Sequence, residues 1–225
     1  MILPSPLPCR LFLFDLDGTL IDSNADIASA VNLALGRMNM RPLPEYQISE
    51  FVGDGVQKLI ERSLRKAANR QPEDALIQEG VAFFRDEYGD HLLDRTCLYA
   101  DVEGGLNSLP WARFAVVSNK PEHFCRRILE GLGVADRFCA ILGGDSTGRR
   151  KPDPLSLLAA MDYCGAAPFE TAMVGDSAVD IAAGRGAGVI TCGVARGFRP
   201  KEQLEAAGCN LIIERLTELS KFFCP

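Results

Sequence analysis

The sequence predicts an α/β fold: a Rossmann-like, mainly parallel sheet core carrying a small inserted α-helical domain. Three observations lead there. Leu11-Phe12-Leu13-Phe14 is an unbroken apolar run that stops at Asp15-Leu16-Asp17-Gly18-Thr19, the pattern of a strand buried on both faces and closed by a turn. From Phe114 onward, short apolar runs alternate with helical patterns, at lengths that imply parallel strands joined by right-handed crossovers. Between Ile21 and Leu92 helical periodicity dominates and no strand pattern is found.

The elements follow in order. After the first strand, Asp22 and Ser23 can cap a helix marked by Ile27, Val31, Leu35 and Met38. Arg41-Pro42-Leu43-Pro44 breaks it, a short helical stretch covers 45–51, and Gly53-Asp54-Gly55 makes a tight turn. Val56, Leu59, Ile60 and Leu64 mark a third helix, and Leu76, Ile77, Val81, Phe84 and Tyr88 a fourth. The remainder reads as strands at 114–118, 140–142, 172–175, 189–192 and 211–213, with helices at 124–132, 155–164, 179–185, 201–207 and 216–223. The expected division is therefore a core of residues 1–20 and 94–225 and a helical cap of residues 21–93. The two connections, near 19–22 and 93–102, suit a hinge, and a lid over the strand ends is the natural use of such an insertion.

At 225 residues, 47% of them hydrophobic and 24% charged, the chain can bury a good core as one domain with an insertion. A net charge of −6 argues against a nucleic-acid backbone or an anionic membrane as partner. The opening nine residues hold three prolines and no basic residue, and no secretory or membrane-length apolar segment follows. A cytoplasmic protein, monomer or homodimer, is expected. None of the eight cysteines forms a Cys-x-x-Cys pair and most lie in apolar runs, so they read as small buried hydrophobes kept reduced. His91 and His123 have no ligand-like spacing and read as surface or packing residues.

The chemistry starts from Asp15 and Asp17. In a sheet flanked by helices, ligands bind beyond the carboxyl ends of the strands, where this pair falls. At an effective dielectric near 20, like charges about 4 Å apart repel by roughly 4 kcal/mol. A bound proton or a cation must relieve that repulsion. Three further polar clusters fall at strand ends or loops of the same edge: Ser118-Asn119-Lys120, Lys151-Pro152-Asp153-Pro154, and Gly175-Asp176-Ser177 with Asp180 one helical turn on. Each alone has a plain structural reading as a cap, a solvated lysine or a turn. Together they bring four acids, a hydroxyl and a lysine to one rim.

In this order, Asp15-Leu16-Asp17-Gly18-Thr19-Leu20, Ser118-Asn119-Lys120, Lys151-Pro152 and Gly175-Asp176-Ser177-Ala178-Val179-Asp180 resemble the four motifs of the haloacid dehalogenase-like hydrolases. The resemblance spans nearly the whole chain. The insert resembles the small helical cap of the phosphoglycolate phosphatase-like branch, with further matches at 22–35, at 52–64 and at Gly143-Gly144-Asp145-Ser146. One departure stands where such phosphatases usually read Tyr-Pro-Gly-Val: this chain has Tyr99-Ala100-Asp101-Val102.

The resemblance implies a phosphatase acting on a small phosphorylated metabolite, 2-phosphoglycolate first among them, through an aspartyl-phosphate. Asp15 is then the nucleophile, and Asp17 the acid for the leaving group and the base for water. Mg²⁺ is the implied cofactor, being hard and octahedral. The Asp15 carboxylate, the Asp17 carbonyl and the Asp176 carboxylate would hold it, and Asp180 either a metal-bound water or Lys151. Ser118 and the Asn119 N–H would bind phosphoryl oxygens, Lys151 would neutralise charge, and Gly18 would let backbone amides approach. In the cap, Gly53, Asp54 and Gly55, with Lys58 and Arg62, are candidate specificity residues, against the plainer reading of a solvated helix face.

The alternatives are a phosphosugar mutase of the same superfamily, similar to beta-phosphoglucomutase, and, from another class, a silent phosphometabolite-binding protein. A dehalogenase has no use for the acid at Asp17. A phosphonate hydrolase would need a cap lysine that is not evident.

Overall fold

The computed structural model of the chain describes residues 6–196 and 200–225. The expectation for residues 1–5 lies outside them. The elements, in chain order, are β1 (Leu7–Pro8), β2 (Leu11–Phe14), β3 (Ile21–Asp22), α1 (Asn24–Arg37), α2 (Glu45–Ser49), α3 (Val56–Ala68), α4 (Asp74–Asp90), β4 (Cys97–Leu98), α5 (Val102–Asn107), β5 (Arg113–Val117), α6 (Glu122–Gly131), β6 (Ala140–Leu142), α7 (Leu155–Cys164), β7 (Thr171–Gly175), α8 (Ala178–Ala187), β8 (Ile190–Val194), α9 (Lys201–Ala206), β9 (Leu211–Ile213), α10 (Leu219–Phe222) and β10 (Phe223–Cys224).

The chain divides into two compact units, Met1–Ile21 with Leu98–Pro225, and Asp22–Cys97. The α/β unit is built on a sheet of strand order β6-β5-β2-β7-β8-β9, in which the registered pairs are parallel. β2 lies at its centre with all four side chains buried. Alternation along the strand sends them to two faces. Leu11 and Leu13 join Ala115, Val117 and Met173 under Leu157, Ala160 and Met161 of α7 and Ala183 and Ala187 of α8. Phe12 and Phe14 join Phe114 and Phe223 on the other face, the Phe12 and Phe223 rings meeting edge to face at 5.0 Å. Burial of each such side chain is worth about 1.5–3 kcal/mol, which makes β2 the anchor of the sheet.

That aromatic contact also corrects the chain's end. The helix expected over 216–223 stops at Phe222, and Phe223 is extended and pairs with Leu7 in a short parallel β1–β10 sheet. Burying Phe223 beside Phe12 wins over extending the helix. The α5 helix has no counterpart in the sequence reading. Its Val-Glu-Gly-Gly-Leu-Asn sequence has weak helix propensity, and it forms where Val102, Gly105 and Leu106 are buried beside the Leu216 turn.

The helical unit is built from α1 to α4, with α4 packed against both α1 and α3. In α3, Val56, Leu59, Ile60, Ser63 and Leu64 are buried, the spacing of one helix face. The helix ends at Asn69 in the left-handed conformation. The second junction between units falls at Cys97/Leu98, later than the 93/94 read from the sequence. The buried Asp26 carboxylate accepts hydrogen bonds from the Arg95 and Thr96 N–H groups and the Thr96 hydroxyl. Those bonds tie the intervening residues to α1.

The cysteines require a second correction. Cys139 and Cys164 are joined as a disulfide, with Cα atoms 6.4 Å apart. Cys139 leads into β6 and Cys164 ends α7, and packing α7 against β6 brings the two within bonding range. Pairs so far apart in sequence leave no local signal.

Candidate active site

Register places the site. Phe14 is paired with Val116 on one side and Val174 on the other. Asp15, Ser118 and Asp176 therefore leave the sheet within a residue or two of the same level. The Asp15 N–H donates to the Val174 carbonyl at 2.9 Å and the Ser118 N–H to the Leu142 carbonyl at 2.9 Å, which fixes where each loop departs.

Beyond Asp15 the chain makes a knot around one acceptor. The Leu16 carbonyl receives the N–H groups of Thr19, Leu20 and Ile21 at 3.3, 2.9 and 3.1 Å. Gly18 turns the corner at φ +80°, and a Cβ there would lie 2.7 Å from the Asp176 Cγ. Glycine is required on both counts, and it brings the backbone between Asp17 and Thr19 against the Asp176 carboxylate.

Asp176 and Asp180 are set by β7 and the start of α8. Ser177 caps that helix in a capping box with Asp180: the Ser177 N–H and hydroxyl donate to Asp180 Oδ2 at 3.1 and 2.6 Å. Asp180 Oδ1 accepts from the Lys151 ammonium at 2.6 Å, and the same ammonium donates to Asp15 Oδ1 at 2.8 Å. Both oxygens of Asp180 are thus engaged. Lys151 is in turn held from behind, its carbonyl accepting from the Asn119 side-chain amide at 3.0 Å.

Asp15, Asp176 and Asp180 are all buried and offer carboxylate oxygens within 4.8 Å of one another. The Lys151 ammonium pairs with two of the three, Asp15 and Asp180. Burial pushes the Asp15 carboxyl up to about 6, Lys151 works against that rise, and the charges of Asp180 and Asp17 add to it. Burial opposes the charge on Lys151, but Asp15 and Asp180 outweigh it and keep the ammonium protonated, its pKa raised. Such an excess of hard oxygen donors suits a divalent cation.

Sequence reasoning left two partners unassigned. The Lys120 ammonium lies 2.6 Å from Asp17 Oδ1, with both side chains largely buried. The signal was present, a lysine directly after Ser118-Asn119 at a strand end, but nothing in the sequence names its partner. Asn119 was expected to act through its N–H, and its side chain also props the Lys151 backbone.

The five cap residues separate within the helical unit. Arg62 pairs with Asp54 at 2.6 Å and donates to the Phe51 carbonyl at 3.3 Å, bracing the Gly53-Asp54-Gly55 turn. Gly53 and Gly55 have φ of +115° and +88°. Lys58 stands exposed beside Glu61 at 2.8 Å, a surface pair of small energetic weight.

Residues 12–194 match the family model described as haloacid dehalogenase-like hydrolase. A protein of Chromobacterium violaceum called phosphoglycolate phosphatase is 37% identical over 92% of this chain and 92% of its own. One of Neisseria meningitidis with the same name is 40% identical over 82% of this chain and 80% of its own. Among solved structures, one described as a predicted phosphoglycolate phosphatase from Haemophilus somnus superimposes with a TM-score of 0.87 at 29% identity, covering 94% of this chain and 96% of that one. With four polar clusters in family order at one sheet edge and a matching model over most of its length, the chain belongs to the haloacid dehalogenase-like hydrolases.

Proposed function

We propose that the protein is a Mg²⁺-dependent phosphatase that hydrolyses a small phosphate monoester through an aspartyl-phosphate on Asp15, with 2-phosphoglycolate as the substrate. The observation that carries this is the buried grouping of Asp15 with Asp176, Asp180 and Lys151. Uncatalysed monoester hydrolysis is so slow that enzymes reach accelerations of roughly 10²¹. The chemistry demands a nucleophile, neutralisation of spreading charge, and an acid for the leaving group.

The donor set fits magnesium, with the Asp15 and Asp176 carboxylates and the Asp17 carbonyl as its protein ligands. When bound, the ion neutralises the phosphoryl oxygens and keeps Asp15 ionised. Asp180, with both oxygens engaged by Lys151 and Ser177, orients the lysine. The Asp15 carboxylate attacks phosphorus. The Lys151 ammonium and the Ser118 and Asn119 donors take up the charge on the phosphoryl group. Asp17 gives its proton to the departing alkoxide and later takes one from the water that hydrolyses the acyl-phosphate. The two aspartates have separate ammonium partners, Lys151 for Asp15 and Lys120 for Asp17. The substrate assignment draws its support from the relatives of Chromobacterium and Neisseria, which carry that activity in their names.

The test is phosphate release from a panel of small phosphate esters, 2-phosphoglycolate included, with Mg²⁺ and with a chelator, for the wild type and Asp15→Asn. Metal-dependent release that disappears in Asp15→Asn, with 2-phosphoglycolate giving the highest kcat/KM, is expected. Full activity in Asp15→Asn would overturn the nucleophile assignment, and isomerised sugar phosphate without free phosphate would replace the hydrolase with a mutase.

A further inference from the structure

The departure at Tyr99-Ala100-Asp101-Val102 has a partner. Asp101 Oδ1 is ion-paired with Arg196 Nη1, 95 residues further on, and each side chain is only 16% exposed. The other Asp101 oxygen accepts the Leu216 N–H at 2.5 Å. The Arg196 guanidinium lies over the Tyr99 ring, 4.6 Å from its centroid. Its second arm, Nη2, donates to the Thr19 carbonyl at 2.9 Å.

These contacts converge from four segments of the α/β unit: the chain's return at 99–101, the residue two beyond β8, the turn after β9, and the loop that carries Asp17. Thr19 is the last residue of Asp17-Gly18-Thr19, in which the Gly18 N–H donates to the Ile21 carbonyl and the Thr19 N–H to the Leu16 carbonyl. The carbonyl of Thr19 faces outward from that knot onto an arginine whose direction Asp101 sets. A guanidinium held at one end by a carboxylate and stacked on an aromatic ring has little freedom left. It therefore transmits a fixed position to the carbonyl it binds.

We propose that Asp101 and Arg196 are positioning residues for the proposed phosphatase reaction: Asp101 aims Arg196, Arg196 holds the Thr19 carbonyl, and the Asp17-Gly18-Thr19 turn is thereby held with the Asp17 carboxyl in line with the leaving group. The inference rests on the phosphatase reading above. It makes a demand that simple structural support does not. Protonation of the leaving group matters for an alkyl phosphate, whose alkoxide is a poor leaving group, and hardly at all for p-nitrophenyl phosphate. Misplacing Asp17 must cost the first far more than the second. Because kcat/KM reports the steps up to phosphoryl transfer, it isolates the acid role from the later attack of water.

The experiment compares wild type, Asp101→Asn, Asp101→Gly, Arg196→Lys and the double variant Asp101→Asn/Arg196→Lys with Mg²⁺ on an alkyl phosphate and on p-nitrophenyl phosphate. The single variants are expected to lose at least about tenfold in kcat/KM on the alkyl ester and less than about threefold on p-nitrophenyl phosphate. The double variant should be no worse than the weaker single, since the two side chains act as one device. Equal losses on both esters, or no loss on either, would overturn the proposal. Asp101→Asn keeps the size and the Leu216 acceptor of the parent, so it carries the test should a harsher variant fail to fold. A wild type that hydrolyses neither ester with Mg²⁺ would instead overturn the phosphatase reading beneath it, a result distinct from either pattern in the variants.

Discussion

Lys151 Nζ lies 2.6 Å from Asp180 Oδ1, and each side chain is almost wholly withdrawn from solvent. Asp180 is engaged by this contact and by capping α8, so in the proposed reaction its role is to hold the lysine toward Asp15. Asp180→Asn keeps an acceptor of the same size and removes the charge. Steady-state kinetics on that variant should show a loss of about 10- to 100-fold in kcat/KM, the usual range for groups that orient a metal or phosphate site. An unchanged value would mean that Asp15 alone suffices to place Lys151.

Magnesium binding should follow the proton on Asp15. Its carboxyl is raised to about 6, chiefly by burial. In the proposed site the cation takes the Asp15 carboxylate as a ligand and competes with the proton for it. Affinity should therefore be constant above pH 6 and fall by about tenfold per unit as the pH drops below it. Titration calorimetry with Mg²⁺ between pH 5 and 7.5 reads this directly, and a flat profile would remove Asp15 from the ligand set.

Gly18→Ala places a methyl against Asp176 and forces a residue with a Cβ into φ +80°. The strain is about 1–3 kcal/mol, relieved only by displacing Asp176 or the loop. Urea denaturation should show a stability loss of that size, together with weakened Mg²⁺ binding. Native-like metal affinity would mean the loop relaxes without moving the acid.

Phe12→Ala tests the claim that β2 anchors the sheet. Phe12 is fully buried, with the rings of Phe14, Phe114 and Phe223 around it. Removing a ring from such a site costs about 3–5 kcal/mol. The urea midpoint should fall accordingly, and a loss under 1 kcal/mol would show that the aromatic face is dispensable.

Much of the molecule could be read from local patterns. Leu11 to Phe14 announced a central strand by composition alone. Asp15, Ser118, Lys151 and Asp176 each sat where an apolar run or its following loop met polar residues. The unread features depend on distance along the chain. Nothing near Lys120 reveals Asp17, nothing near Cys139 reveals Cys164, and nothing near Asp101 reveals Arg196. The α5 helix failed for a related reason: two glycines lower its intrinsic propensity, and packing beside Leu216 overrides them. Phe223 likewise obeys a tertiary contact over its own helical pattern.

The central position of β2 shapes how the polypeptide must be made. Both of its neighbours, β5 and β7, come from beyond residue 112, whereas the helical unit is one uninterrupted span, Asp22–Cys97. On a ribosome, the four apolar side chains of β2 wait for the whole insert to be translated before either neighbouring strand exists. The helices, which pack α4 against α1 and α3 within that one span, can consolidate during that interval. Leu11–Phe14 is thus the stretch most in need of a holdase, and slowing elongation between codons 22 and 112 should raise misfolding of the α/β unit while sparing the helical one.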